Sequence, residues 1–402
     1  MSTRATPCAN FAKAEASAIN FFSIQNMIYL DNAATTRPRR ELIDIFQKIE
    51  GEVFANVNSN HAFGREAEKY LNKARSILLD TLGVEETHRS VFCSSATEAN
   101  NLALKGYALR HQQRGKHIII SNIEHPSVLE CALQLRDLYG FELTIINVNH
   151  QGHVRLEDVR NALKKNTIIV SIMAVNNEIG SINPIQEIAA IVHQYSRAVL
   201  HVDASQGIGK VPLPYRNIDL LSISGHKING LKGSGALILR KNIELLPLLS
   251  GGGQEYGFRS STISPALAYT LALATQRAIG NEAKNARSIA VLNSLLRSHF
   301  SKRENIVINS PEKASSYIVN VSLTDKKASV IVEALSNLGI MISSVSACHA
   351  KTDSASYVVQ ALGRNEDLAR NTLRISFDSD STIEEVQTFI RAFDEIMDRI
   401  RS

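Results

Sequence analysis

The sequence of 402 residues lacks the features that mark a protein of membranes or of nucleic acids. No apolar run approaches the roughly 18 residues that are needed to cross a bilayer. Lysine and arginine are scattered along the chain instead of clustered, and the net charge of +5 is small for this length. We therefore expect neither a membrane nor a nucleic acid among its partners.

Cysteine is scarce, and the spacing of its four residues argues against two common structural uses of this amino acid. The four lie far apart, form no CxxC pair and have no histidine at metal-ligand spacing; they are Cys8, Cys93, Cys131 and Cys348. This pattern disfavours a structural metal site and a disulfide framework. We expect no metal ion, and a reducing compartment such as the cytoplasm.

Residues 1–26 lack both the periodicity of the later chain and the features of a targeting signal. They are rich in Ala and Ser, contain no long apolar core, and carry Glu15 with only two basic residues. A secretory signal or a transit peptide is therefore disfavoured. We interpret residues 1–26 as a flexible N-terminal extension.

The segment VFCSSATEANNLALKGYALR runs from an apolar stretch through a polar turn into a helix, and its turn contains no glycine. Without a GxGxxG or GxxxxGK pattern, a dinucleotide site or an ATP P-loop is disfavoured. Unpaired backbone N–H groups at a helix start still form a natural phosphate site. Because Ser95, Ala96 and Thr97 occupy this turn, the sequence predicts that it binds a single phosphate group.

Short β-branched runs alternate with amphipathic helices through much of the chain, which predicts an α/β fold. Such near-continuous apolar strands indicate a mainly parallel sheet covered by helices on both faces. Polar residues follow several of these strands, among them His125 and Asn177. A histidine just after a strand is more often a plain loop residue, but several polar strand ends at one sheet edge indicate a site.

The last part of the chain has a different rhythm. We predict a long helix from Pro265 to the neighbourhood of His299, and after it the alternating strand SYIVNVSL. The final helix is predicted to begin at Thr382, because Glu385 completes a capping box with it. These elements indicate two domains, a large one at 41–280 and a smaller α+β domain made of 27–40 and 281–402.

Two strand ends within HVDASQGIGKVPLPYRNIDLLSISGHKING carry a carboxylate and an amine. Asp203 follows the first apolar run and Lys227 follows the second. A lysine that forms a Schiff base and a carboxylate that pairs with a pyridinium nitrogen are what pyridoxal 5'-phosphate (PLP) requires of a protein. Such a pair arises by chance in many α/β domains, but the neighbouring Gln206 and the Ser224-Gly225-His226 turn favour the PLP interpretation.

Nine short motifs occur in the order found in one enzyme family. They are YLDNAATT, SSATEANN, Glu124-His125, VNNEIG, HVDASQ, SGHK, GGGQE with RSST, SACHA and LRIS, and they lie within residues 28–377. On these motifs the chain resembles the NifS/IscS-like cysteine desulfurases, which are class V aminotransferase-fold PLP enzymes, with selenocysteine lyase as a close relative. The resemblance implies the type I fold of PLP-dependent transferases.

The resemblance also implies a role for each matching residue. Lys227 would carry PLP, Asp203 would pair with its pyridinium nitrogen, and His125 would stack on its ring. Further cofactor contacts are implied for Gln206 and Asn177 near the phenolate, for Ala96, Thr97, Ser224 and His226 at the phosphate, and for Thr262 at the phosphate of the partner subunit in a homodimer. Arg374 would bind the substrate carboxylate together with Asn177, and Cys348 would be the nucleophile that takes the sulfur.

We therefore predict a PLP-dependent enzyme that converts L-cysteine to L-alanine and passes sulfur from Cys348 to an acceptor protein or a small thiol. Two alternatives stay open, a selenocysteine lyase and a non-catalytic PLP-fold binding partner. The second is weaker because every chemically required residue type is present.

Three departures from the family pattern bear on this prediction. His349 after the cysteine is shared with selenocysteine lyases, while Tyr256 and Ser261 replace an Arg and a Gly of the usual loop. The chain ends at Ser402 without the extended tail by which housekeeping members dock an iron–sulfur scaffold. That partnership is therefore left open.

Overall fold

The computed structural model describes residues 27–195, 197–344 and 355–399. The extension predicted for residues 1–26 lies outside this range, as do Cys348 and His349. No helix in the described part of the chain is both long and apolar enough to cross a membrane.

The strands of the described residues belong to three sheets. In chain order the strands are β1 (Ile28–Tyr29), β2 (His88–Cys93), β3 (His117–Ser121), β4 (Glu142–Ile146), β5 (Thr167–Ser171), β6 (Val199–Asp203), β7 (Leu220–Ser224), β8 (Gly235–Arg240), β9 (Ile306–Ile308), β10 (Ile318–Leu323), β11 (Ile340–Met341), β12 (Ser343–Ser344) and β13 (Thr372–Ser376).

The main sheet contains seven strands in the order β2-β8-β7-β6-β5-β3-β4. The five strands from β7 to β4 are parallel to one another, whereas β8 runs antiparallel to both of its neighbours. This confirms the predicted α/β fold with a mainly parallel sheet. The carboxyl ends of β6 and β7 lie side by side, so the sheet brings the ends of the two strands that carry Asp203 and Ser224 together.

Helices cover the main sheet and the smaller sheets. They are α1 (Arg40–Glu52), α2 (Ala62–Leu82), α3 (Ala96–Asn101), α4 (Tyr107–His111), α5 (Pro126–Tyr139), α6 (Leu156–Ala162), α7 (Ile185–Tyr195), α8 (Pro265–Gly280), α9 (Glu282–Phe300), α10 (Ala328–Asn337), α11 (Tyr357–Ala361), α12 (Glu366–Arg370) and α13 (Ile383–Arg399). A π-helical segment over Leu102–Gly106 joins α3 to α4.

Both faces of the main sheet are buried, because successive residues of its strands belong to different apolar cores. In β3, Ile118 and Ile120 pack in one core and Ile119 packs in the other. The side chains of a strand point alternately to the two faces of its sheet. A strand that is covered on both faces therefore has an unbroken apolar sequence, as HIIIS has.

A four-stranded antiparallel sheet in the order β12-β13-β10-β9 has a core of its own, in which Phe300, Phe389 and Phe393 pack together. Near it, β1 pairs with β11 in a two-stranded parallel sheet. The start of the described chain thus lies beside its last third. The domain boundaries at residues 40/41 and 280/281 stay a prediction.

The long helix predicted from Pro265 to the neighbourhood of His299 is wrong, because two helices meet there at Asn281. This residue leaves helical geometry at φ −109° and ψ 4°, directly after Gly280. Glycine and asparagine are weak helix formers, so the break costs little there. It lets Leu271 of α8 pack in the core of the main sheet and Leu296 of α9 pack in the core of the antiparallel sheet.

We expect Gly235→Ala to destabilise the protein, because β8 passes close to the start of α3 at this residue. A Cβ atom at Gly235 would lie 2.6 Å from the carbonyl carbon of Ser95. Overpacking of this kind costs about 1–3 kcal/mol. The thermal unfolding midpoint should therefore fall when it is measured by circular dichroism.

Gly51→Ala is the matched control for this substitution. Gly51 lies in α1, and its added Cβ would meet nothing within 4 Å. Replacing a helical glycine by alanine in open space stabilises by roughly 0.5–1 kcal/mol. If Gly235→Ala unfolds at the temperature of the wild type, the close approach of β8 to Ser95 is wrong.

Candidate active site

A cavity of about 250 Å³ lies at the carboxyl edge of the main sheet. Nine of the residues predicted for the site line it: Ala96, His125, Asn177, Asp203, Gln206, Ser224, His226, Lys227 and Arg374. They lie up to 278 positions apart in the sequence; most follow strands of the main sheet, whereas Ala96 begins α3 and Arg374 lies within β13. The structure therefore brings these nine residues together, while the role of each stays a prediction.

Lys227 is held by backbone carbonyl groups of the N-terminal segment. The lysine ends a short 3₁₀ turn over Gly225–Lys227, directly after β7. Its Nζ donates to the carbonyl oxygens of Ala33 at 2.6 Å and Ala34 at 2.7 Å. The backbone N–H of Thr36 donates to the His226 carbonyl oxygen at 2.8 Å, which fixes the segment against the turn. The sequence did not indicate Ala33 and Ala34, because a backbone acceptor has no residue signature.

Asp203 is a buried carboxylate whose two oxygens are bound by donors. Oδ1 accepts from the backbone N–H of Ser205 at 2.9 Å and from its hydroxyl at 2.6 Å. Oδ2 accepts from Nδ2 of Asn100 at 2.8 Å. A buried charge is tolerated only when it is well hydrogen-bonded, and this set of donors meets that requirement. Asn100 lies inside the SSATEANN motif, but nothing in the sequence links it to a strand end about 100 residues later.

Gln206 is oriented from both ends of its amide group. Nε2 donates to the Ala33 carbonyl oxygen at 2.9 Å, and Oε1 accepts from Nζ of Lys210 at 2.8 Å. Burial, assisted by the nearby charge of Lys227, lowers the pKa of Lys210 to about 7. Lys210 was missed in the sequence analysis, although it follows Gln206 by four residues.

Several hydrogen-bond donors lie at one end of the cavity, where Nδ1 of His226 is already 3.1 Å from Thr35 Oγ1. The Ser224 hydroxyl is buried and has no hydrogen-bond partner among the described residues. Burial, followed by the charges of Lys227, Lys232 and Lys210, lowers the pKa of His226 to about 4, so its imidazole is neutral near pH 7. Ser95 caps α3, and the backbone N–H groups of the first turn of a helix have no acceptor within that helix.

Arg374 reaches the cavity from β13 of the antiparallel sheet. It is 2 % exposed, and its guanidinium donates to Asp31 Oδ1 at 2.8 Å and to the Asn177 carbonyl oxygen at 3.1 Å. Its Nε has no partner in the described part of the chain. Asp31 was missed as the residue that orients this arginine, since the two lie 343 positions apart.

Two buried carboxyl groups lie directly beside predicted site residues. Glu124 precedes His125, and burial raises its pKa to about 8. Glu178 follows Asn177, and burial raises its pKa to about 7, while the Ser356 hydroxyl donates to it and Arg374 acts in the opposite direction to burial. A protonated carboxyl group is a hydrogen-bond donor as well as an acceptor. Near neutral pH the Glu124 carboxyl is therefore mostly protonated, and that of Glu178 is partly protonated.

Three predicted residues are not among those that line the cavity. The Thr97 side chain is exposed. Thr262 lines a second cavity of about 150 Å³. Cys348 lies outside the described residues. Cys93 and Cys131 are buried, and burial raises the pKa of both thiols, that of Cys131 to about 12.

Taken together, the cavity presents the groups needed to bind a carbonyl compound that also carries anionic groups. The Lys227 amine can form a covalent bond to a carbonyl carbon. A guanidinium binds carboxylates with a planar pair of donors, and Arg374 offers one. Among the described residues, no group of three or more His, Cys, Asp or Glu side chains could hold a metal ion.

Comparison with known proteins supports an enzyme site of this kind. A family model described as aminotransferase class-V matches residues 28–389. A protein named "Cysteine desulfurase, mitochondrial" from Eremothecium gossypii is 38% identical over 380 residues, which cover 93% of this chain and 76% of that protein. A "NifS/IcsS protein homolog" from Lactobacillus delbrueckii subsp. bulgaricus is 36% identical over 92% of this chain and 97% of its own length.

A solved structure agrees with these sequence relatives. A structure titled "NIFS-LIKE PROTEIN" superimposes with a TM-score of 0.86 at 33% identity, and the match covers 93% of this chain and all of the other. The family model spans nearly all of the described residues, and each relative is matched over most of its length. The chain therefore belongs to the aminotransferase class-V family, in which its homologues are NifS/IscS cysteine desulfurases.

Proposed function

We propose that this protein is a PLP-dependent cysteine desulfurase that converts L-cysteine to L-alanine and takes the sulfur onto Cys348. Its homology with NifS/IscS proteins supports an enzyme with cysteine desulfurase activity. The single observation that carries the proposal is that Lys227, Asp203 and Arg374 line one cavity. An amine, a buried carboxylate and a guanidinium are the three groups that an amino-acid-converting PLP enzyme needs.

The residues of the cavity fit PLP, the cofactor on which the family in general depends. The orphaned Ser224 hydroxyl and the start of α3 offer donors to a phosphate group, together with His226, Ala96 and Thr97. Asp203, which is bound only by donors, can hold the proton of a pyridine nitrogen. When bound, PLP accepts negative charge from the substrate Cα.

Further residues would orient the cofactor. We assign Lys227 as the covalent attachment point, since its Nζ lies in the cavity against two carbonyl groups that keep it in place. His125 would face the ring, and Gln206 and Asn177 would approach the phenolate side. Lys210 would hold the side chain of Gln206 in its orientation. Nζ of Lys210 donates to Oε1 of Gln206, so the NH₂ group of Gln206 points away from Lys210.

Arg374 would bind the carboxylate of L-cysteine. Its Nε is buried and unpartnered, and the guanidinium is fixed by Asp31 and by the Asn177 carbonyl oxygen. A guanidinium that is already oriented loses less conformational entropy when a ligand binds. Asn177 lies next to it and would contact the same substrate.

Sulfur transfer would take place at Cys348. Its thiolate attacks the substrate sulfur, an S–S bond forms, and the Cβ–S bond breaks with its electron pair left on the carbon side. Protonation of that carbon gives L-alanine, and Cys348 carries a persulfide. Cys93 and Cys131 are unsuited to this role, because burial raises the pKa of both thiols and a nucleophilic cysteine must be a thiolate. A sulfur-acceptor protein or small thiol then removes the sulfur, in a reducing compartment such as the cytoplasm, with iron–sulfur cluster assembly as one destination.

Selenocysteine lyase is the second candidate, and His349 is the observation that favours it. The same cavity would bind L-selenocysteine, because the carboxylate and amine of the two substrates are identical. The difference lies in the bond that breaks, since a C–S bond is stronger than a C–Se bond.

The site would be completed by a second copy of the chain. Thr262 lines a different cavity from Lys227, together with Cys93, Ser94 and Gly235. A threonine that lies outside the cavity of its own chain can serve the phosphate site of a partner. We therefore propose a homodimer in which each subunit contributes Thr262 to the other.

Lys227→Ala should abolish covalent attachment of PLP, because the substitution removes the only amine that we assign to this bond. The measurement is borohydride reduction followed by peptide mass spectrometry, alongside the visible absorption of the purified protein. Lys232→Ala, which changes an exposed lysine five residues later, should behave like the wild type. A reduced PLP adduct that persists in Lys227→Ala would contradict the assignment.

The homodimer is tested by mixing Lys227→Ala chains with Thr262→Ala chains. In a heterodimer of the two, one site has an intact Lys227 and receives an intact Thr262 from the other chain, so activity should reappear. The matched control mixes the Lys227→Ala/Thr262→Ala double variant with wild type, where no heterodimeric site is complete. The cross-subunit contact is wrong if Thr262→Ala binds PLP as tightly as the wild type.

Cys348→Ala separates the two candidate reactions. The variant should lose desulfuration of L-cysteine and keep most cleavage of L-selenocysteine, because selenium leaves carbon without the help of a thiolate. Alanine release from each substrate is the measurement, and Cys8→Ala is the matched control. Mass spectrometry of the wild type after L-cysteine should find one added sulfur atom on the peptide that contains Cys348. Unimpaired L-cysteine turnover by Cys348→Ala would rule out this cysteine as the nucleophile.

A further inference from the structure

We propose that Asn100 and Ser127 form a hydrogen-bond relay from Asp203 to His125, and that this relay fixes which nitrogen of the His125 ring carries the proton. Both are positioning residues, because they act through Asp203 and His125. The inference rests on the proposed function of the cavity and deepens it.

The relay is one continuous path of hydrogen bonds that joins β6, α3 and α5. Asn100 lies on α3 and its Nδ2 donates to Asp203 Oδ2 at 2.8 Å and to Ser127 Oγ at 2.9 Å. Ser127 lies in the first turn of α5, and its Oγ is 2.8 Å from Nδ1 of His125. The backbone N–H of Ser127 also donates to this Nδ1 at 3.1 Å, so that His125 caps α5.

The direction of every hydrogen bond in the relay follows from its two ends. A carboxylate can only accept, so Asn100 must turn its NH₂ group toward Asp203. The second N–H of that group occupies an acceptor site of Ser127 Oγ. The single hydroxyl proton of Ser127 is then available for His125 Nδ1. The backbone N–H of Ser127 can only donate, so it shares the single lone pair of Nδ1 with the Ser127 hydroxyl, and Nδ1 has no place for a proton of its own.

The environment of Asn100 supports this orientation. The residue is fully buried, and its Oδ1 has no hydrogen-bond partner among the described residues. A buried amide oxygen without a donor is unfavourable. The amide is therefore oriented by what its two N–H groups bind, and both of them bind members of the relay.

The neutral His125 ring consequently carries its proton on Nε2. A proton on Nδ1 would point at the backbone N–H of Ser127, which can only donate, and would force Ser127 Oγ to accept where it now donates. Proton exchange between His125 and a substrate in the cavity would thus use Nε2 alone. The same relay holds Asp203, so the group that would bind the ring nitrogen of the cofactor and the group that would face the ring are oriented together.

The test determines the tautomer of His125 directly, in the PLP-loaded enzyme with ¹⁵N-labelled histidine. The His125 signals are assigned by their loss in His125→Gln, and an unprotonated imidazole nitrogen is recognised by its strong downfield shift. We expect Nδ1 to be unprotonated and Nε2 to be protonated. The tautomer itself is read in the wild type, and His125→Gln serves only to assign the signals.

Ser127→Ala and Asn100→Ala remove the relay from its two sides. In Ser127→Ala we expect a mixture of the two tautomers, and a kcat for L-cysteine lowered by about 3- to 10-fold, the ratio that one hydrogen bond supplies. Ser127→Thr keeps the hydroxyl and should restore the wild-type tautomer. Asn101→Ala is the matched control, because that amide lies on the same helix and donates to the backbone carbonyl oxygens of Thr97 and Ser127.

A protonated Nδ1 in the wild type would overturn the inference, and so would a Ser127→Ala variant whose tautomer is unchanged. Failure of the proposed function would look different. In that case the wild type would release no alanine from L-cysteine, while the tautomer of His125 and its response to Ser127→Ala would be as expected.

Discussion

The buried carboxylate of Asp203 is the constraint on which the rest of the site depends. It is 4 % exposed, and an ionised group at such a position is stable only if the fold supplies donors to it. Those donors come from the turn after β6 and, through Asn100, from α3. The need to bind one carboxylate therefore links the end of β6 to α3, and both contribute residues to the lining of the cavity.

A second set of contacts is made by the segment 31–36. These contacts link the main sheet to the antiparallel sheet beside the cavity. Carbonyl groups of Ala33 and Ala34 hold Lys227, and Asp31 holds Arg374. Lys227 follows the main sheet, whereas Arg374 belongs to the antiparallel sheet. The segment 31–36 therefore fixes how far Lys227, which would bind the cofactor, lies from Arg374, which would bind the substrate carboxylate.

Sequence patterns predicted the fold and much of the cavity, because both depend on local signals. Unbroken apolar strands indicated a parallel sheet, and polar residues after those strands indicated Asp203, Ser224 and Lys227. The break at Asn281 was missed, although Gly280 and Asn281 are two weak helix formers in succession. Asn100, Ser127, Lys210 and Asp31 were missed because their partners are distant in sequence or are other polar side chains. Alanine carbonyl groups could not be identified at all, since every residue has one.

The central claim is that the cavity around Lys227 removes sulfur from L-cysteine. The most direct measurement incubates the purified, PLP-loaded wild type with L-cysteine and a reducing thiol, and quantifies L-alanine and sulfide together, with L-selenocysteine as a parallel substrate. The account predicts equal amounts of alanine and sulfide over many turnovers. Release of alanine from L-selenocysteine alone would contradict desulfuration and support the lyase, and release from neither substrate would contradict both.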